Sequence, residues 1–168
     1  MYTTLYPSPI GLLLIKADDI GLTSISFIED THNISIDNNI PILKDIIHYL
    51  DTYFKGIKPD TLPSLHMIGT TYQKEVWNLL LDIDYGHTIT YGELSLLLSN
   101  TRGYKTSPRA IGQAVGHNPL LIIVPCHRVI GKSNIGGYRG GIDRKRKLLL
   151  LESGNECPLS YIYLYAKE

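Results

Sequence analysis

With 168 residues, 43% of them hydrophobic, the chain is long enough for one ordinary domain or two small ones and too apolar to stay disordered. No stretch reaches the roughly 18 consecutive apolar residues of a membrane span. The first residues lack the basic region of a signal peptide, and the two cysteines, Cys126 and Cys157, make no disulfide framework. The formal net charge of zero hides a split. Residues 87–147 carry ten Lys or Arg against two Asp or Glu, whereas residues 1–86 carry five against eleven. Such a basic segment fits a face that meets a polyanion, or a solvated face balanced by acidic neighbours.

Residues 1–30 read as strands and tight turns, with apolar runs broken by Pro-Ser-Pro and by Asp-Asp-Ile-Gly. Residues 31–41 read as a polar loop. Over 41–56, Leu43, Ile46, Ile47, Leu50 and Phe54 recur at helical spacing, with Gly56 as the stop. The stretch 57–69 has two prolines and no period, and reads as a linker. Thr70 and Gln73 then form a capping box, ahead of a stripe of Tyr72, Val76, Leu79, Leu80 and Ile83. Thr90 and Glu93 form a second box, ahead of a helix expected to bury Leu94, Leu97 and Leu98. Ser107 and Pro108 supply the N-cap and first position of the next helix, which ends near Gly116. Two short helices joined by a turn read either as a helix-turn-helix or as a plain helical pair. Gly112 and Gly116 cost that second helix roughly 1 kcal/mol each against alanine, so a close approach of another backbone is expected there.

The apolar run Leu120–Val124 reads as a buried strand or extended segment that Pro125 ends, which places Cys126 near the interior. A thiol buried among apolar groups is poorly ionised. To act as a nucleophile it needs a base and a positive field, and His127 is the nearest base. Adjacent Cys and His do not readily fill two corners of a tetrahedral zinc site, so no metal is expected. In the last helix, Leu148, Leu149 and Glu152 share one face, which puts a carboxylate on the apolar side. A buried carboxylate requires a partner, and a histidine would serve. A Glu–His–water–Cys chain then follows the logic of nucleophile, base and orienting group. Core packing of Cys126, a structural His127 and a Glu152 facing solvent explain the same residues. Arg144, Lys145, Arg146 and Lys147 read as a solvated face. The glycine-rich stretch 131–142 does not match a phosphate-binding GxxxxGK[ST] pattern and reads as a loop able to cover a pocket.

"PCHRV", preceded by "RAIGQAVGHNPLLIIV" and followed by "GGYRGGIDRKRKLLLLE", strongly resembles the O6-alkylguanine-DNA alkyltransferases, the methylated-DNA–protein-cysteine methyltransferases. The match runs over roughly residues 70–153, and "LYPSPIGLLLIKADDIGL" with "LDTYFKG" resembles the N-terminal domain of that family more loosely. The resemblance implies an α+β chain: a small N-terminal α/β domain with an antiparallel sheet and a linker over 1–63, and a mostly helical, winged-helix-like C-terminal domain over 64–168 with a helix-turn-helix. It implies DNA repair by direct reversal, with the alkyl group of O6-alkylguanine, and of O4-alkylthymine, moved irreversibly to Cys126. His127 would take the thiol proton, Glu152 would orient the imidazole, and Asn118 would tie the recognition helix to the active-site turn. Tyr91 would act at the base and help rotate it from the duplex. Pro108, Arg109, Ala110 and Gly112 would face DNA through the minor groove, with Arg109 filling the gap. Val129, Tyr138, Arg139 and Gly140 would line the base pocket. The partner implied is duplex DNA containing O6-alkylguanine, met by a cytoplasmic, nucleoid-associated monomer that needs no cofactor and no membrane. Residues 1–125 hold no cysteine, so the structural zinc of some relatives is not expected. Arg139 stands where some relatives have a small residue.

Overall fold

Alternation of side chains builds the start of the chain. The computed structural model, which describes residues 1–103 and 105–154, forms strands β1 (Tyr2–Ser8), β2 (Gly11–Ala17) and β3 (Leu22–Phe27). They pair antiparallel in that order. Period two sends Leu13, Ile15 and Ala17 of β2 to one face, where each is fully buried. Asp18 accepts from the backbone N–H groups of Ile20 and Gly21 and closes the second hairpin. Helix α1 (Pro41–Phe54) has proline in its first turn and buries Leu43, Ile46, Leu50 and Tyr53. It is linked to β1 by Tyr6, whose hydroxyl donates to Asp51 at 2.8 Å.

These elements belong to a first compact unit, residues 1–68 with 119–123. The stretch read as a linker is tied down at its end. Leu22 N–H donates to Ser64 O and His66 N–H to Leu22 O, both at 2.8 Å. A Cβ on Gly21 would meet the Leu65 carbonyl carbon at 2.6 Å, so only glycine fits where this segment crosses. The edge of β3 offers free donors and acceptors, and an extended, aperiodic segment satisfies them. The run Leu120–Val124 is buried, as its composition demands, but it is not a strand. It makes one bridge, Leu120 with Ile25, and then turns through Ile122 at φ 74°.

The second unit comprises residues 69–118 and the chain from 124 onward. Helix α2 (Thr71–Leu81) starts at the expected capping box of Thr70 and Gln73. Its buried side chains are Val76, Trp77 and Leu80. Trp77, outside the expected stripe, donates from Nε1 to Ala114 O at 2.8 Å. Strand β4 (Ile89–Thr90) runs straight into α3 (Tyr91–Arg102), capped by Thr90 and Glu93. Leu94 and Leu98 are buried, but Leu97 is 48% exposed, contrary to the expectation from its spacing. Helix α4 (Pro108–Gly116) is capped by Ser107 and buries Ile111, Ala114 and Val115. Serines of α3 fix the connector between α3 and α4: Ser95 donates to Thr106 O at 2.9 Å, and Ser99 Oγ accepts from Thr106 N–H at 3.0 Å. A 3₁₀ turn (Cys126–Arg128) leads into β5 (Val129–Ile130), and α5 (Ile142–Ser153) closes the described chain. Strands β4 and β5 pair in parallel, Ile89 with Val129 and Thr90 with Ile130. The expectation for Cys157 lies outside the described residues.

Candidate active site

Three consecutive side chains diverge in a 3₁₀ turn, and this explains why a thiol, an imidazole and a guanidinium adjoin. His127 Nε2 donates to Glu152 Oε1 at 2.6 Å. Arg128 reaches the same carboxylate with two nitrogens, Nε to Oε2 at 2.8 Å and Nη2 to Oε1 at 2.9 Å. Its remaining nitrogen, Nη1, donates to Ile83 O at 2.6 Å. Gly86 N–H adds a longer bond to Oε2. Helix α5 delivers Glu152 here because its apolar face, Leu148 and Leu149, is packed inward one turn earlier. The carboxylate is therefore buried, but with two partners, His127 and the cationic Arg128, where the sequence suggested one.

Cys126 leaves the turn in another direction. Its backbone N–H donates to Val124 O at 2.8 Å, and Asn118 Nδ2 donates to the same oxygen, also at 2.8 Å. Asn118, buried at the end of α4, thus ties that helix to the turn carrying the thiol. Burial pushes the Cys126 thiol up to about 11, opposed by its hydrogen bond with Asn118 and by the positive charges of Lys145 and Arg139. At neutral pH Cys126 is a thiol, not a thiolate. Burial pushes the His127 imidazole down, against the pull of Glu152, so at neutral pH the ring is uncharged. With Nε2–H committed to Glu152, Nδ1 is its accepting atom. The Glu152 carboxyl is held far below the usual carboxylate range: burial raises it, but His127 and Arg128 together outweigh that.

Cys126 opens on a cavity of about 270 Å³ that Tyr91, Gly112, Tyr138 and Arg139 help to line. This lies near the lower end of small-molecule sites. Tyr91, at the first position of α3, faces Tyr138 from the loop 131–141. Burial raises the Tyr91 phenol, so it keeps its proton. Tyr138 is raised further, by burial and by Cys126, and its ring stands edge-on to His127 with centroids 6.4 Å apart. Ile135 plugs the loop into an apolar cluster with Leu149, Ile130 and Ile142. Gly136, at φ 72°, lets the loop touch Tyr91, since a Cβ there would come within 2.9 Å of the ring. Val129 and Gly140 are not among the lining residues: Lys145 takes the carbonyl of Val129, and Arg144 that of Gly140. Pro108 and Arg109 are exposed on α4, with Ala110 and Gly112 half-buried. Among the described residues, no backbone closes on the two helix glycines. A Cβ on Gly112 would sit 3.9 Å from the Tyr91 ring, and one on Gly116 would meet nothing within 4 Å.

Lys145 corrects the expectation of a solvated basic face. It is fully buried, and its ammonium donates to Val129 O at 2.6 Å and Gly137 O at 2.9 Å. It joins the strand beneath the thiol to the loop above it. Neither this nor the Arg128–Glu152 pair has a local sequence signal; both depend on where separate elements meet. No group of three or more His, Cys, Asp or Glu among the described residues is placed to hold a metal ion.

Comparison with known proteins gives consistent results across the chain. The model described as 6-O-methylguanine DNA methyltransferase, ribonuclease-like domain, matches residues 1–62, and that described as its DNA binding domain matches residues 71–154. A methylated-DNA–protein-cysteine methyltransferase of Haemophilus influenzae is 38% identical over 158 residues, covering 90% of this chain and 86% of the relative. One from Mycobacterium bovis is 42% identical over 149 residues, covering 86% and 88%. Among solved structures, Mycobacterium tuberculosis OGT in complex with DNA superposes with a TM-score of 0.78 at 36% identity, covering 97% of this chain and 99% of that one. An O6-methylguanine DNA methyltransferase from Methanococcus jannaschii gives 0.65 at 25% identity, covering 92% and 95%.

Proposed function

The chain belongs to the 6-O-methylguanine DNA methyltransferase family of DNA repair proteins, and from that premise we propose that Cys126 accepts, once and irreversibly, the alkyl group of O6-alkylguanine in duplex DNA. The observation that carries this reading is the buried Cys126, which lines a cavity together with two tyrosines and directly precedes in the chain the His127 that is bonded to Glu152. Sγ attacks the alkyl carbon in line with the C–O6 bond. The S–C bond forms, the C–O6 bond breaks, and guanine is the leaving group. The thiol proton passes across a bridging water to His127 Nδ1, while the phenol of Tyr91 supplies a proton to the departing purine. Glu152 is a positioning residue: it fixes the tautomer and stabilises the imidazolium as it forms. A thioether is not hydrolysed, so the protein is consumed. O4-alkylthymine places an alkyl oxygen similarly and is a second substrate.

The target base reaches a buried sulfur only by leaving the stack. Helix α4 meets the minor groove with Pro108, Arg109, Ala110 and Gly112, and Arg109 fills the vacated space. DNA as substrate fits a cytoplasmic, nucleoid-associated monomer, and no helix among the described residues is long and apolar enough to cross a membrane. Gly112→Ala tests the interface. The methyl group has room in the free protein, so stability should rise by about 1 kcal/mol. Duplex affinity by fluorescence anisotropy should fall, because the added carbon stands where the nucleic-acid backbone comes close.

The direct test incubates the protein with a duplex containing O6-methylguanine and measures its intact mass. The expected result is a gain of one CH₂ per molecule, located on the peptide of Cys126 and absent from Cys126→Ala. Repeated turnover without a lasting adduct would favour a hydrolase, and binding without any mass gain a lesion sensor.

A further inference from the structure

The cavity beside Cys126 carries charge of one sign. Among its described lining residues only Arg139 has a formal charge; the rest are tyrosine, glycine, valine and Cys126 itself. Arg139 Nη1 donates at 3.5 Å to Asn118 O, the residue whose side chain engages the thiol. This holds the guanidinium at the wall, although much of the side chain stays exposed. Beneath the same wall, the buried ammonium of Lys145 is bonded to Gly137 O of the lid. Both cations favour negative charge at Cys126. Glu152, the carboxylate that could offset them, is already shared by His127 and Arg128.

An alkyl group that itself bears an anion meets a difficulty in this chemistry. Its charge arrives within a few ångströms of a sulfur that becomes anionic as it attacks, and like charges that close repel strongly away from bulk water. A cavity without a cation of its own would therefore accept such a group more slowly than a neutral one. Resting on the alkyl-transfer reading above, we propose that Arg139 is a specificity-determining residue that admits alkyl groups carrying a carboxylate, O6-carboxymethylguanine being the smallest of that class. In this reaction the Sγ–CH₂ bond forms and the CH₂–O6 bond breaks. The carboxylate is unchanged and pairs with the guanidinium, the thiol proton leaves by His127, and guanine departs after receiving a proton. The products are guanine and S-carboxymethylated Cys126, with no oxidation or reduction.

The test compares two duplexes that differ only in charge at the alkyl group: O6-carboxymethylguanine and its neutral isostere O6-(carbamoylmethyl)guanine. Single-turnover rates are read from the appearance of each adduct by mass. The quantity of interest is the ratio of the two rates within one protein, which cancels effects on folding and DNA affinity. In Arg139→Gln the ratio should fall about fivefold or more, a scale suited to a partly exposed ion pair. Arg139→Lys should retain most of it, and added salt should lower the parent's ratio toward that of Arg139→Gln. An equal ratio in the parent and Arg139→Gln overturns the inference alone. Failure of the parent to form any adduct from an O6-methylguanine duplex overturns the transfer reading and this inference with it.

Discussion

Glu152→Gln is expected to cost about 3–5 kcal/mol of folding stability, because it removes the negative charge that Arg128 and His127 share in a buried cluster and leaves them facing an amide. Against total stabilities of about 5–15 kcal/mol, that is a large fraction. Urea unfolding should show a lower midpoint with an unchanged slope. Alkyl transfer should slow by at least about a hundredfold, since His127 loses the group that orients it as a base. A double-mutant cycle with Arg128→Met should show strong coupling, because both partners hold the same two oxygens. An unchanged midpoint would mean that the carboxylate does not hold the imidazole and the guanidinium together.

The same cluster sets the response to acid. Glu152 has a folded-state pKa well below that of an unfolded glutamate. Its stabilisation is therefore complete above about pH 4.3 and is lost as pH falls below that value. The folded-state pKa of His127 is also depressed, so the unfolded chain takes up that proton first, and stability begins to decline below about pH 6.5. Acid unfolding should thus begin with the imidazole and steepen with the carboxylate. In Glu152→Gln the lower step should be missing.

Lys145→Met should produce the second large effect. Methionine fills similar volume but leaves the carbonyls of Val129 and Gly137 without the ammonium that holds them. An unsatisfied buried group costs roughly 1–3 kcal/mol, so a loss of about 2–4 kcal/mol is expected by urea unfolding. Chemistry should suffer separately. With a positive charge removed from the neighbourhood of a thiol already raised to about 11, transfer at neutral pH should slow about tenfold or more. Its pH profile should move to higher pH. Lower stability with an unmoved profile would mean that Lys145 acts only as a strut.

How far each feature could be read in advance follows from the range of the forces that set it. The capping boxes at Thr70 and Thr90 and the Ser107–Pro108 helix start are decided within four residues and appear as expected. The thiol, imidazole and carboxylate were legible as types, because a carboxylate on an apolar helix face demands a partner. Leu97 departs from its spacing because α3 is covered along a narrower stripe than its leucines suggest. The run Leu120–Val124 was placed inside correctly, but burial does not dictate extended pairing, and a single bridge suffices. Lys145 and Arg128 had no readable signal. A charged side chain is stable in the interior only when carbonyls or carboxylates from distant segments converge on it, and a one-dimensional pattern does not record that convergence.

The parallel pair of β4 and β5 is only two residues long, yet one strand continues into Tyr91 and the other emerges from Cys126. The gap between phenol and sulfur is thus gauged by main-chain pairing, which substitutions other than proline leave in place. The helices around it can drift in composition while the two groups keep their spacing. Warming should reveal the same dependence: amide hydrogen exchange at Val129 and Ile130 should accelerate over the interval in which alkyl acceptance disappears, ahead of the melting of α2.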